Sequence, residues 1–209
     1  MSARLLVATR SRGKQREIRD ILGGQAYDVV FPDEIGLAER AAEATLEDAE
    51  TFAGNAQRKA EHFARLSGLP TAADDSGLEV FALDGRPGVR SRRFALHRGP
   101  PEEQDAANNA ELLRRLAGAP PERRRARYRC VVVYLPGPDA PGVTFEGACL
   151  GAIVSAPRGH EGFGYDPLFL SDELGQTFGE APSEDKHRVS HRGRAFRALA
   201  AWLVEHPPR

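Results

Sequence analysis

T-A-A-D-D-S-G-L-E-V, residues 71 to 80, sets two adjacent carboxylates, Asp74 and Asp75, between two short apolar runs. A serine and a glycine follow the acids at once. The pattern predicts strand, tight turn, strand, with the acids at the bend. Where backbone is extended, neighbouring side chains point to opposite faces, so one carboxylate can face a cavity while the other braces the turn. Turns favour Asp, Ser and Gly for backbone reasons alone. Read in isolation the stretch is an ordinary turn, and other segments must give its acids something to act on.

Outward from the acids, the basic residues are informative. Only three of the 29 are lysine: Lys14, Lys59 and Lys186. Where arginine serves as the general positive charge, a retained lysine selects a compact ammonium over a flat guanidinium, with chance survival as the plain alternative. Each lysine lies in a segment that draws attention for other reasons.

Lys14 follows a phosphate-suited turn. Arg4 to Thr9 reads as a buried strand, and Thr9, Arg10, Ser11, Arg12 and Gly13 form a junction of small and basic residues. A helix runs from Lys14 to about Leu22, stopped by Gly23 and Gly24. Exposed N–H groups and the positive end of a helix favour an anion at such a junction. The glycine spacing is not that of a Walker A loop, and a plain strand–helix connection is the simpler reading.

Lys59 sits on a helix that Thr51 caps and Gly68 ends, with Pro70 beyond. Asn55 lies four residues before it, on the same face. The preceding stretch, Leu37 to Glu50, carries Glu39, Glu43, Glu47, Asp48 and Glu50. Such runs are usually solvated, but one can lend a carboxylate to a metal.

Lys186 belongs to S-E-D-K-H-R-V-S-H-R-G, residues 183 to 193, which crowds Lys186, His187, His191 and Arg192 ahead of a final helix reaching about His206. Cations at a helix N-terminus oppose its dipole, so something negative or carbonyl-rich should compensate them. Upstream, Gly159 to Leu170 (G-H-E-G-F-G-Y-D-P-L-F-L) presents Phe163 between glycines, with Gly164, Tyr165 and Asp166 following. An aromatic on a glycine loop beside a carboxylate suits a planar ring; aromatics plugging into the core are the commoner outcome. The remaining segments are a strand at Tyr27 to Phe31, an arginine-rich Gly/Pro loop at Asp84 to Phe94 and a helix at about Glu102 to Leu116. A hairpin of Arg127 to Leu135 and Val143 to Val154 completes the chain.

The formal net charge of −1 gives no overall basic field for nucleic acid. The first ten residues hold too short an apolar run for a signal peptide, and no later run is long enough to span a bilayer, so a cytoplasmic protein without membrane contact is expected. Cys130 and Cys149 lack metal-ligand spacing and read as buried free thiols. Three lysines, a phosphate-suited turn, an acid pair and a ring-suited loop together describe a nucleoside phosphate site served by a metal such as Mg²⁺.

The chain also resembles the inosine triphosphate pyrophosphatase family, the RdgB/Ham-type pyrophosphatases of non-standard purine nucleoside triphosphates. The matching pieces are V-A-T-R-S-R-G-K (7 to 14), T-F-A-G-N-A-Q-R-K-A (51 to 60), A-D-D-S-G-L-E-V (73 to 80), P-G-V-R-S-R-R-F (87 to 94), G-F-G-Y-D-P-L-F (162 to 169) and K-H-R-V-S-H-R-G (186 to 193). The resemblance implies an α/β fold, an elongated mixed β-sheet flanked by helices, as a single domain over 1–209 with two lobes around a central cleft. It implies Mg²⁺-dependent hydrolysis of ITP, dITP and XTP to monophosphate and pyrophosphate, and a homodimer. By it, Thr9, Ser11, Lys14 and Lys59 line the triphosphate, Asp75 is the catalytic base or metal ligand, Glu47 is its metal partner, and Ser76 contacts substrate. Phe163 stacks on the base with Gly164, Tyr165 and Asp166 beside it, and Lys186, His191 and Arg192 read its edge. The chain departs from the family pattern at Ser11 (usually Asn), Gly54 (usually Glu) and Arg90 (usually Tyr).

Two rivals remain at this stage. One is a Maf-like pyrophosphatase acting on pyrimidine or modified nucleotides, against which the G-F-G-Y-D and S-H-R segments speak. The other is a non-catalytic nucleotide- or RNA-binding protein, suggested by the arginines of 90 to 98 and 123 to 129.

Overall fold

The structure, a computed structural model, describes residues 3–24, 27–97 and 99–207. Six strands form one mixed sheet in the order β2-β1-β3-β4-β5-β6. They are β1 (Ala3–Val7), β2 (Tyr27–Val30), β3 (Thr71–Val80), β4 (Arg125–Leu135), β5 (Val143–Ile153) and β6 (Phe169–Ser171). β1 runs parallel to β2 and β3, whereas β5 and β6 are antiparallel, with Gly151 opposite Ser171. The helices are α1 (Arg12–Leu22), α2 (Phe52–Ser67), α3 (Pro101–Arg115), α4 (Ser183–Val189) and α5 (His191–Glu205). The chain separates into two compact units. The first comprises Met1–Asp75, Cys130–Gly147 and Arg192–Arg209; the second comprises Ser76–Arg129 and Ala148–His191.

In the first unit the alternation of strand side chains sorts the core into two layers. Leu5 and Val7 of β1, Ala72 of β3 and Val132 and Tyr134 of β4 pack with Ile18 and Leu22 of α1 and with Phe196, Leu199 and Leu203 of α5. Their neighbours Leu6, Ala73, Val133 and Leu135 pack with Ala56, Ala60, Phe63 and Ala64 of α2. Buried on both faces, Leu5 to Val7 of β1 and Cys130 to Leu135 of β4 read as continuous apolar runs. α2 begins and ends where its sequence signals say. The Thr51 hydroxyl accepts from Gly54 N at 3.0 Å, and Gly68 takes φ 69° at the C-terminus, a left-handed conformation that favours glycine.

The second unit has its own core of Leu78, Val80, Leu112, Leu116, Tyr128, Tyr165, Phe169 and Phe178. Ser91 pins the arginine-rich loop to it: Leu78 N donates to Ser91 Oγ at 2.9 Å, and the Tyr165 hydroxyl donates to Ser91 O at 2.8 Å. Within that loop Gly88–Arg93 form a 3-10 turn.

Two expectations are corrected. Residues 71 to 80 make no turn; they are one ten-residue strand, with Gly77 extended rather than bent. The Asp74 and Asp75 carboxylates find partners on other elements, so no local turn is needed to satisfy them. Residues 183 to 193 do not all lie ahead of the last helix: 183 to 189 form a short helix of their own, and after a break at Ser190 the last helix already begins at His191.

Candidate active site

In the first unit, β3 carries Asp74 and Asp75 into two different ion clusters. Lys14, from the first turn of α1, donates to Asp74 Oδ2 at 2.9 Å, and Arg192 Nε lies 3.5 Å from the same oxygen. Arg192 also pairs with Glu17 of α1. Arg192 and the Asp74 side chain are almost wholly buried. Burial alone would push the Asp74 carboxyl up, but Lys14, Arg192 and Lys59 outweigh it and hold the group well below the usual aspartate range. These carboxylates also meet the charge of Arg192 at the start of α5, the compensation that the helix dipole calls for.

Asp75 sits differently. Asn55 Nδ2 donates to Asp75 Oδ2 at 2.9 Å and Lys59 Nζ to Asp75 Oδ1 at 3.3 Å. The same ammonium donates to Glu47 Oε1 at 2.7 Å. Burial pushes the Asp75 carboxyl up, Lys59 and Lys14 pull it back, and Glu47 adds to the rise, so the net shift is upward. Burial pushes Lys59 down, yet Asp75 and Glu47 outweigh it and keep the ammonium firmly charged. Asn55 is fully buried and uses both ends of its amide, since its Oδ1 accepts from Ala49 N at 2.8 Å. It therefore ties the segment carrying Glu47 to Asp75.

Two carboxylates converging on one compact cation form a hard oxygen donor set. Among the described residues no group of three or more His, Cys, Asp or Glu side chains could hold a metal alone. A hard divalent cation at Glu47 and Asp75 would complete its shell with water and phosphate oxygens, the usual manner of a magnesium site serving phosphates.

The junction before α1 is built as a helix N-terminus. Ser11 Oγ accepts from Lys14 N at 3.5 Å and Thr9 Oγ1 from Ser11 N at 3.3 Å. Arg12 and Gly13 open the helix, where first-turn N–H groups lack intrahelical acceptors. Arg10 instead turns its guanidinium to Glu43, Asp33 and the Leu37 carbonyl.

In the second unit Asp166 organises the glycine loop. It accepts from Phe163 N at 2.8 Å, from Lys186 Nζ at 2.6 Å and, through its other oxygen, from the Tyr128 hydroxyl at 3.4 Å. The Lys186 ammonium lies 5.3 Å from the centre of the Phe163 ring. Phe163 is half-buried, whereas Tyr165 plugs into the core. Of the two aromatics of the loop, Tyr165 takes the core position and Phe163 does not. His191 is buried and stacks on Tyr128 with ring centres 4.5 Å apart. Two α3 side chains hold Gly164: Asp105 Oδ2 accepts from its N–H at 2.7 Å, and Asn109 Nδ2 donates to its carbonyl at 2.9 Å.

The predicted residues therefore gather into two sets. The first unit brings together Lys14, Asn55, Lys59, Asp75, Glu47 and Arg192; the second brings together Phe163, Gly164, Asp166, Lys186 and His191. Ser76 follows Asp75 on β3. Sequence reasoning missed Glu17, Asp105 and Asn109. The i, i+3 spacing of Lys14 and Glu17 was a usable signal; nothing in the sequence links α3 to Gly164.

Three of the arginines that suggested RNA binding are committed within the second unit. Arg124 donates to the Leu116, Ala119 and Val154 carbonyls, Arg125 is bidentate on Asp172, and Arg127 pairs with Glu79.

Comparison with known proteins covers nearly the whole chain. The model of the Ham1 family matches residues 5–202. A dITP/XTP pyrophosphatase of Geobacter sulfurreducens is 46% identical over 204 residues, 96% of each chain. One of Thermus thermophilus is 42% identical over 205 residues, 98% of this chain and 94% of the relative. Among solved structures, a Ham1 protein of Coxiella burnetii superposes with a TM-score of 0.83 at 32% identity, covering 97% of this chain and 99% of that one. The Staphylococcus aureus Ham1 protein gives 0.79 at 34% identity, covering 97% and 99%.

Proposed function

This chain belongs to the Ham1 family, and from that premise we propose that it hydrolyses dITP, ITP and XTP to the monophosphate and pyrophosphate with Mg²⁺ at Glu47 and Asp75. It is a hydrolase of the nucleoside triphosphate anhydride, and by this activity it cleanses the nucleotide pool. The observation that carries the reading is the Lys59 ammonium held by Glu47 and Asp75 together, 2.7 and 3.3 Å away. A carboxylate pair that needs a cation between it suits a metal site beside phosphates.

The division of labour follows the two clusters. Lys14, Lys59, Asn55 and, from the junction, Thr9, Ser11, Arg12 and Gly13 serve the triphosphate; Phe163, Gly164, Tyr165, Asp166, Lys186 and His191 serve the base. Arg192, buried on Glu17 and Asp74, steadies the acid end from within. Mg²⁺ would neutralise phosphate oxygens and polarise the anhydride. Asp75, with its raised proton affinity, orients the attacking water as the α–β bond breaks. Lys14 and Lys59 offset charge that develops on the phosphates, by positioning and electrostatics. Donors set against a 6-keto oxygen are left unpaired opposite an amino group, which is the physical basis for rejecting ATP. The chain acts as one catalytic domain, as a homodimer in the cytoplasm.

The test is pyrophosphate release from ITP, XTP, ATP, UTP and dTTP, each with and without Mg²⁺. Turnover of ITP and XTP only, and only with the metal, is the expected result. UTP or dTTP turnover would replace this reading with the Maf-like one, and no turnover of any would leave a binding protein.

A further inference from the structure

Arg10 belongs to the junction expected to bind substrate, and its side chain pairs with acids of a distant segment. Its Nε lies 2.6 Å from Glu43 Oε2 and its Nη2 2.8 Å from Glu43 Oε1, a bidentate pair. Nη2 also donates to Leu37 O at 3.0 Å, Nη1 pairs with Asp33, and the guanidinium lies 5.6 Å from the centre of the Phe63 ring. The pair is mostly buried, with 18% of the Arg10 side chain and 11% of the Glu43 side chain exposed. Glu43 is itself part of a 3-10 turn, Ala41–Thr45, where Oε1 accepts from Arg40 N at 3.1 Å. Four residues beyond Glu43 stands Glu47, and two beyond that the Ala49 N–H is held by Asn55.

The segment carrying Glu47 is thus pinned at both ends. Asn55 fixes the C-terminal end to the Asp75 side chain; Arg10 fixes the N-terminal end to the strand–helix junction. We propose that Arg10 is a positioning residue that holds the 41–47 segment so that Glu47 and Asp75 converge on one divalent cation. This rests on the reading of Glu47 and Asp75 as the metal pair. It assigns Arg10 to metal affinity through Glu43 rather than to phosphate contact. Lysine cannot substitute fully, because one ammonium cannot span both oxygens of Glu43 and the Leu37 carbonyl in a fixed fork.

The experiment uses the full chain without nucleotide and reads two quantities: Mn²⁺ affinity by titration followed by electron paramagnetic resonance, and hydrogen exchange of amides 41 to 49. Arg10→Ala, Arg10→Lys, Glu43→Gln and Glu47→Gln are compared, with thermal unfolding confirming that each folds. The proposal expects Arg10→Ala and Glu43→Gln to weaken Mn²⁺ binding about tenfold, in the range seen for groups that orient metal ligands, and to speed exchange across the segment. Arg10→Lys should fall between them and the unaltered protein. Unchanged exchange, or faster exchange with unchanged Mn²⁺ affinity, overturns the positioning role. So does an Arg10→Ala variant that raises the nucleotide KM while binding Mn²⁺ normally, since that is the behaviour of a phosphate contact. If Glu47→Gln itself binds Mn²⁺ normally, the metal pair was misassigned, and the proposal falls with it for a distinguishable reason.

Discussion

Asp74 and Asp75 are consecutive in one strand, yet their carboxyl groups are shifted in opposite directions. Strand alternation sends Asp74 to Lys14 and Arg192, and Asp75 to Asn55, Lys59 and Glu47. Both are buried, so desolvation acts on both. What differs is the count of compensating charges. Asp74 faces two cations at short range; Asp75 shares one ammonium with a second acid. One carboxylate is therefore a fixed anion, and the other is the more basic of the two.

That difference separates the two substitutions. Asp75→Asn should lower kcat on the order of 10²–10⁴-fold, the usual worth of a positioned acid–base group, with thermal stability close to the original. Asp74→Asn should act first on folding, because it leaves Lys14 and the buried Arg192 short of a counter-charge, at a cost of about 3–5 kcal/mol. Denaturant unfolding and steady-state kinetics on both variants check this. Near-original ITP turnover by Asp75→Asn would remove it from the mechanism.

The pH dependence follows from the same shifts. Asp75 binds its proton more tightly in the folded protein, so its contribution to stability is present at low pH and lost as pH rises through its folded value. Asp74 behaves oppositely: its contribution is present above the ordinary aspartate value of about 3.9 and is lost as pH falls toward its depressed one. The acid limb of kcat/KM should therefore have its midpoint above the ordinary aspartate value. Lys59→Gln, which removes the largest influence lowering the Asp75 proton affinity, should move that midpoint to higher pH. A pH–rate profile of the two proteins decides it; an unmoved midpoint would separate the limb from Asp75.

Asn55 offers a test of orientation without charge. Asn55→Ala deprives the Ala49 N–H of its acceptor and removes a hydrogen bond from Asp75, both in buried surroundings. An unsatisfied buried group costs about 1–3 kcal/mol, so thermal unfolding should register the change. Asn55→Asp keeps the acceptor for Ala49 but sets a second carboxylate against Asp75. It should recover part of the stability while pushing the acid limb of the pH profile upward, whereas an effect on packing alone would leave that limb in place.

Elements whose ends are fixed by local chemistry were legible in the sequence. α2 is one, since Thr51 and Gly68 act on backbone within three or four residues. So were the one-face pairing of Asn55 with Lys59 and the need for an anion near Arg192. Residues 71 to 80 misled because Asp-Asp-Ser-Gly satisfies turn statistics, while the groups that keep the strand extended, Lys14, Lys59 and Asn55, come from other helices. α4 was hidden by its cations, although Pro182 at its N-cap with Glu184 and Asp185 in its first turn is a readable helix start. Arg10 was read with the phosphate-suited turn; the acid it pairs with, Glu43, lies 33 residues on, beyond local reasoning.

Gly162 ties the base-side set to a single missing atom. It adopts φ 76°, and a Cβ there would lie 2.1 Å from Asp166 Oδ2 and 3.0 Å from Lys186 Nζ. Gly162→Ala therefore cannot keep both the backbone conformation and the Asp166–Lys186 pair, on which the Phe163 backbone also depends. The phosphate-side residues are untouched by it. The expected outcome is a loss of discrimination: kcat/KM for ITP falls about tenfold or more, in line with losing one or two directed hydrogen bonds, while the low rate on ATP changes little. Lys186→Met, which removes the ammonium but leaves Gly162 in place, should show the same collapse in the ITP-to-ATP ratio, with added instability because the buried Asp166 loses the Lys186 counter-charge. If both variants keep the original ratio, the glycine loop does not read the base, and its order serves the core around Tyr165 instead.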